Sequence, residues 1–227
     1  MMQMPPVTQN LIIINALCWL ATLVLAHAKK DLIDLAGLHF PGTHSFHWFQ
    51  PITYMFLHDT HSFAHIFFNM FAVFMFGRSI EATWGPRRYL IFYLVSGIGA
   101  ALVQEAVWYF QIQAVAANYG FSVMQMVAMN PSANQLVTIG ASGAVFGVLL
   151  AFGMLFPDVP LYVMFVPIPI KAKYFVIFYG LVELFMGVVN FRGDNVAHFA
   201  HLGGMLFGLL MILYWRKKDR SNGRSAY

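Results

Sequence analysis

Uncharged apolar runs dominate the chain, and their lengths set the first expectation. Three are unbroken: Leu11 to Ala28, Ile139 to Phe156 and Val196 to Trp215. Each has the length a helix needs to cross roughly 30 Å of hydrocarbon. Three more are interrupted by polar residues. Phe63 to Phe76 carries His65 and Asn69, Tyr89 to Phe110 carries Gln104 and Glu105, and Tyr174 to Phe191 carries Glu183. Such groups are expensive in lipid and turn toward a cavity or a partner helix. The pattern predicts an all-α polytopic membrane protein with a six-helix bundle forming one domain over residues 1–227. The expected spans are 11–28, 63–80, 89–110, 139–156, 174–191 and 196–215, followed by a tail at 216–227.

Composition agrees, since 59% of the residues are hydrophobic and 10% charged, against about 25% charged in a soluble domain. The first run has a rival reading as a secretory signal, because Ala26-His27-Ala28 has the form of a small-residue cleavage site. Met1 to Asn10 contains no Lys or Arg, however, and the apolar core is longer than a signal requires. The run is therefore read as the first span.

Charge placement sets an expected orientation. Arg78, Arg87, Arg88, Lys171, Lys173, Arg216, Lys217, Lys218, Arg220 and Arg224 fall on one side of the six spans; only Lys29, Lys30 and Arg192 fall opposite. The positive-inside rule makes the first side cytoplasmic and, with an even number of spans, places both termini there. The net charge of +4 is then a membrane rim in contact with anionic lipid and calls for no nucleic acid. One cysteine, Cys18, excludes an intrachain disulfide and a thiolate metal cluster. Two long connections, Lys29 to Ser62, rich in aromatics and histidines, and the uncharged Gln111 to Thr138, belong on the opposite face.

Candidate chemistry lies in the interrupted pattern. Gly140-Ala141-Ser142-Gly143 opens the fourth run, and Gly140, Gly143, Gly147 and Ala151 give it a small-residue side. In the sixth, His201, Gly204 and Gly208 recur at three and seven residues on one helical face. Two glycine faces can meet at backbone contact distance, close enough for a serine hydroxyl to reach an imidazole. His65 and Asn69, four apart in the second run, share a face and suit the stabilisation of an oxyanion together with the Ser142 backbone N–H.

Other readings compete. The glycines fit helix packing alone. His58, His61 and His65 recur at three and seven residues as a zinc face would, but no His-Glu-x-x-His occurs and the serine motif would go unexplained. Glu105 and Glu183 could mark an ion path in a transporter, or bond across helices. Asp194 could orient His201, His198 could line the same cavity, and Glu81 could pair with Arg78 or cap a helix at the cytoplasmic boundary. No metal or cofactor is expected.

Three motifs in order carry a family resemblance: His65-Ile-Phe-Phe-Asn69, Gly140 to Gly143, and His201 with Gly204 and Gly208. With Gly77-Arg78-Ser79-Ile80-Glu81 and Gly85, the chain from about Trp48 to Leu213 resembles the rhomboids, intramembrane serine proteases. The resemblance implies a Ser142 nucleophile and a His201 base forming a dyad, with His65, Asn69 and the Ser142 backbone around the oxyanion. It implies membrane-protein substrates, single-pass ones among them, cut in the lipid bilayer at the exterior face of a cell membrane. A catalytically inactive relative that binds membrane proteins would look the same. The family's usual Trp-Arg is Trp48-Phe49-Gln50 here, which bears on loop packing. No oligomeric state follows.

Overall fold

The computed structural model describes residues 4–162, 168–189 and 197–222. Arg192, Gly193, Asp194, Asn195 and Arg224 fall outside them. Helix α1 (Pro6–His27) begins on proline, whose missing N–H is no loss in a first turn. A short helix α2 (Leu32–Ala36), a strand β1 (Leu38–His39) and helix α3 (Gln50–Thr53) follow. Helix α4 (Phe63–Ala72) continues through a π turn at Val73–Gly77 into α5 (Arg78–Trp84). Gly85, with φ of 81°, stops this helix in a conformation that disfavours other residues, and Pro86 starts α6 (Pro86–Asn118). The remaining elements are α7 (Val123–Met129), β2 (Val137–Thr138), α8 (Ser142–Leu155), β3 (Pro160–Tyr162), β4 (Pro169–Lys171), α9 (Ala172–Val189) and α10 (His198–Ser221).

The protein is mostly helical and a multi-pass membrane protein. Five stretches are long and apolar enough to cross a bilayer: Pro6–His27, Phe63–Trp84, Pro86–Asn118, Ala172–Val189 and His198–Ser221. The fourth expected span, 139–156, shortens to the 14 residues of α8. The helix starts later than expected because β2, just before the span, pairs with β1, Leu38 opposite Thr138 and His39 opposite Val137, and Gly140 has φ of 127°. In the opposite direction, α6 runs eight residues past the expected end at 110, because the uncharged Gln111 to Asn118 sequence keeps its helical course.

The long first connection is built rather than loose. Gln50, fully buried, accepts from His39 N at 3.2 Å and donates to Ser45 O at 2.7 Å and Leu35 O at 3.2 Å. A single carboxamide thus organises the segment without the arginine usual in the resembling family. The β1–β2 pairing ties this segment to the residues leading into Ser142.

Packing centres on α8, which is buried from Gly143 to Leu149 and lies against α6, α9 and α10. By contrast α9 buries only Ala172, Val176 and Glu183, leaving Ile177, Phe178, Leu181 and Phe185 exposed as a lipid-facing helix should. One end of the bundle gathers both described termini. Glu81 accepts from Val7 N at 2.9 Å and Thr8 N at 2.7 Å, capping α1. Of the two roles expected for Glu81, pairing with Arg78 or capping a helix, the structure shows a cap. Arg88 holds Asp219 through two bonds of 2.8 and 2.7 Å, and Arg216 reaches Met154 O at the far end of α8. Ser142 opens the opposite end of α8.

Candidate active site

Helix α8 and helix α10 meet on glycine, and that contact sets the distance between their polar residues. A Cβ on Gly204 would run into the carbonyl of Gly143, and one on Gly208 would stand 3.3 Å from the Gly147 Cα. Across this seam Ser142 Oγ lies 2.8 Å from His201 Nε2. The third wall is α6: a Cβ on Gly147 would meet Ser96, and one on Gly143 would meet Ala100. Ser96 and Ala100, four apart on one face of α6, are the side chains that touch the seam.

Gly140 belongs elsewhere than expected. It precedes α8 and takes no part in the helix seam; its φ of 127° lies outside the helical range. A Cβ there would stand 2.9 Å from His65 Nε2 and 3.6 Å from Ser142 Oγ. The bare backbone therefore admits the His65 ring beside the serine.

His65 is oriented from behind. Its Nδ1 accepts the Asp59 backbone N–H at 3.2 Å, which leaves a neutral ring with its proton on Nε2, the atom facing Gly140. His65 thus presents a donor beside Gly140, next to the serine. Asn69, buried one turn on, donates from Nδ2 to His65 O at 2.9 Å. Ser142 is the first residue of α8, so its backbone N–H is a group the helix itself does not use. Against the His65 ring packs His58, at 5.0 Å between centroids, fully buried. Burial pushes the His58 imidazole down to about 3, so it is neutral at ordinary pH.

The His201 ring is fixed on both faces of the problem, position and protonation. It stacks on Phe146 at 4.2 Å with an interplanar angle of 8°, and Phe146 stacks on Tyr179 of α9. Its Nδ1 lies 2.8 Å from Glu183 Oε2, and His198 Nδ1 lies 2.6 Å from the same oxygen. Among the described residues these three are the ones whose ligand atoms come within 4.8 Å of one another. Two imidazole N–H groups converging on one oxygen at these distances account for the cluster as hydrogen bonding. Glu183 was legible as a polar intrusion, and its reading as a cross-helix bond agrees with the structure. Its attachment to His201, 18 residues away, has no signature in the sequence.

The zinc face does not assemble. Helix α4 starts only at Phe63, so His58 and His61 do not continue its face, and His61 is exposed. The two glutamates of the transporter reading lie on different helices, Glu105 on α6 and Glu183 on α9. Glu105 lines an apolar groove of about 420 Å³ with Phe40, Leu102, Tyr109 and Met124, a set that shares no residue with the serine site.

Comparison with known proteins gives one family. The sequence matches the rhomboid domain over residues 45–218. It is 30% identical over 155 residues to the mitochondrial rhomboid protein 1 of Saccharomyces cerevisiae, covering 68% of this chain and 39% of that protein. It is 27% identical over 216 residues to the putative rhomboid protease YdcA of Bacillus subtilis, covering 95% of this chain and 92% of the relative. With the rhomboid protease AarA of Providencia stuartii it shares 29% over 170 residues, 73% of this chain and 55% of the relative. The chain therefore spans under two thirds of two of these relatives and nearly all of the third. By its match over most of its length, the protein belongs to the rhomboid family.

Proposed function

We propose that the protein is an intramembrane serine endopeptidase with Ser142 as nucleophile and His201 as general base. The observation that carries this reading is the 2.8 Å contact between Ser142 Oγ and His201 Nε2 at the start of a buried helix. As Oγ attacks a peptide carbonyl carbon, its proton passes to Nε2, and the carbonyl π electrons move onto oxygen. His65 Nε2–H, the Asn69 amide and the Ser142 backbone N–H stabilise that oxyanion. The proton then goes to the leaving amine nitrogen as the C–N bond breaks, leaving an acyl ester on Ser142. Water deprotonated by His201 hydrolyses the ester and restores the serine.

Depth supports an intramembrane reaction. Helix α8 has 14 residues, about 21 Å of rise, and its far end lies beside Arg216 at the charged rim. Against about 30 Å of hydrocarbon, its first residue falls short of the opposite surface by about 10 Å. With the basic rim cytoplasmic, both termini face the cytoplasm and the site opens outward. A substrate helix must unwind there before its carbonyls are exposed, which favours weak helix formers near the exterior boundary.

The test is cleavage of a single-pass substrate by purified protein in proteoliposomes, with its product sequenced. The reading requires a cut near the exterior boundary that is lost in Ser142→Ala and His201→Ala and is indifferent to chelators. Cleavage that persists in Ser142→Ala, or that chelators abolish, contradicts it.

A further inference from the structure

We infer that Glu183 is a positioning residue for His201, holding the base in its reactive tautomer and offsetting the charge it acquires. The inference rests on the reading of Ser142 and His201 as nucleophile and base. It departs from the dyad that the family resemblance implies.

Three observations carry it. Glu183 is one of only three buried residues on α9, a helix otherwise turned to lipid. A carboxylate is a costly choice for such a place unless donors meet it. Donors do meet it, and both are imidazoles: His201 Nδ1 at 2.8 Å and His198 Nδ1 at 2.6 Å on the same oxygen. Finally, the bond lies on the far side of the ring from Ser142, whose Oγ contacts Nε2. A carboxylate oxygen can only accept, so Nδ1 must carry the proton, and the neutral ring presents its lone pair at Nε2 to the serine hydroxyl.

The same contact matters more once the reaction starts. His201 becomes an imidazolium as it takes the serine proton, and a carboxylate at hydrogen-bond distance favours that charged form. His198, one turn before His201 on α10, supplies a second N–H that keeps the carboxylate aimed. The other groups facing the ring are uncharged or distant from Nδ1. Phe146 stacks on it from α8, Tyr179 of α9 stacks behind Phe146, and His65 of α4 interacts with it electrostatically. Because Glu183 rides on α9, the base is correctly held only while α9 is docked against α8 and α10.

A purely mechanical tether between α9 and α10 would have the same contacts, so the test separates charge from tethering. Glu183→Gln keeps the size and an accepting oxygen and removes the charge. The inference expects kcat to fall about 10²- to 10⁴-fold with KM little changed. Glu183→Gln that folds and cleaves at the wild-type kcat, or loses activity through KM alone, overturns it. A second measurement needs no variant at Glu183: ¹⁵N NMR of histidine-labelled wild type, with the His201 signal assigned by His201→Gln. The inference expects Nδ1 protonated; a proton on Nε2 overturns it. Should the wild type fail to cleave, or Ser142→Ala cleave equally well, the protease reading itself fails, an outcome distinct from either of these.

Discussion

The carbonyl of Gly143 occupies the place where a side chain on Gly204 would begin. This one contact sets how near α8 and α10 lie, and with it the distance from Ser142 to His201. Gly204→Val must push the helices apart, at a cost of about 1–3 kcal/mol or more for overpacking. We expect a lower Tm in detergent and loss of cleavage with Ser142 still present. Full activity in a folded Gly204→Val protein would sink the close-approach argument.

Gly140→Ala addresses the other side of the serine. The residue has φ of 127°, and its new Cβ would stand 2.9 Å from His65 Nε2. Backbone strain of about 1–3 kcal/mol adds to the displacement of that ring. The expected result is a protein that folds with reduced stability and a kcat lowered at least tenfold. His65→Ala and Asn69→Ala should lower kcat by about 10- to 10³-fold while KM changes little. Steady-state kinetics on one substrate reads all three, and an effect confined to KM would assign these residues to binding instead.

Acid stability should reflect His58. Its folded pKa lies at about 3, below the unfolded value of about 6.5. The unfolded chain therefore binds more protons between those values, and stability is lost as pH falls through that window. At pH 5 this histidine alone removes about 2 kcal/mol relative to pH 8. The unfolding free energies at the two pH values should differ by about that much less in His58→Leu than in the wild type. An identical pH dependence in wild type and variant would show that the ring is not held neutral.

At the charged end, Arg88 and Asp219 form a two-bond pair between the start of α6 and the end of α10, with Asp219 buried. Asp219→Asn should lower stability by about 1–3 kcal/mol, since the charge-assisted bonds weaken and the guanidinium keeps partial access to water. Activity per folded molecule should be unchanged. Thermal unfolding together with a titrated active-site count distinguishes the two effects.

The sequence made the spans and the chemistry legible for the same reason: charge and polarity stand out against lipid. Ser142, His201, His65 and Asn69 are conspicuous because each is a polar residue in an apolar run, and the glycines at 204 and 208 point to the face they share with Gly143 and Gly147. A glycine gives no sign of its backbone angle in the sequence, so Gly140, with φ of 127°, is not distinguishable there from the helical glycines that follow it. In α6 the polar Gln104 and Glu105 stand out from the sequence, whereas Ser96 and Ala100, the side chains that touch the seam, do not. Glu183 was visible as an oddity, but its partner depends on how α9 docks on α10, a tertiary fact without local pattern.

The most direct test of the central claim is to treat the folded, purified protein with a fluorophosphonate and map the modified residue by mass spectrometry. One adduct is expected, on Ser142, formed by the wild type and abolished by Ser142→Ala and by His201→Ala. An adduct on another residue, or none on a folded wild type into which the reagent demonstrably enters, would contradict an activated serine at this site.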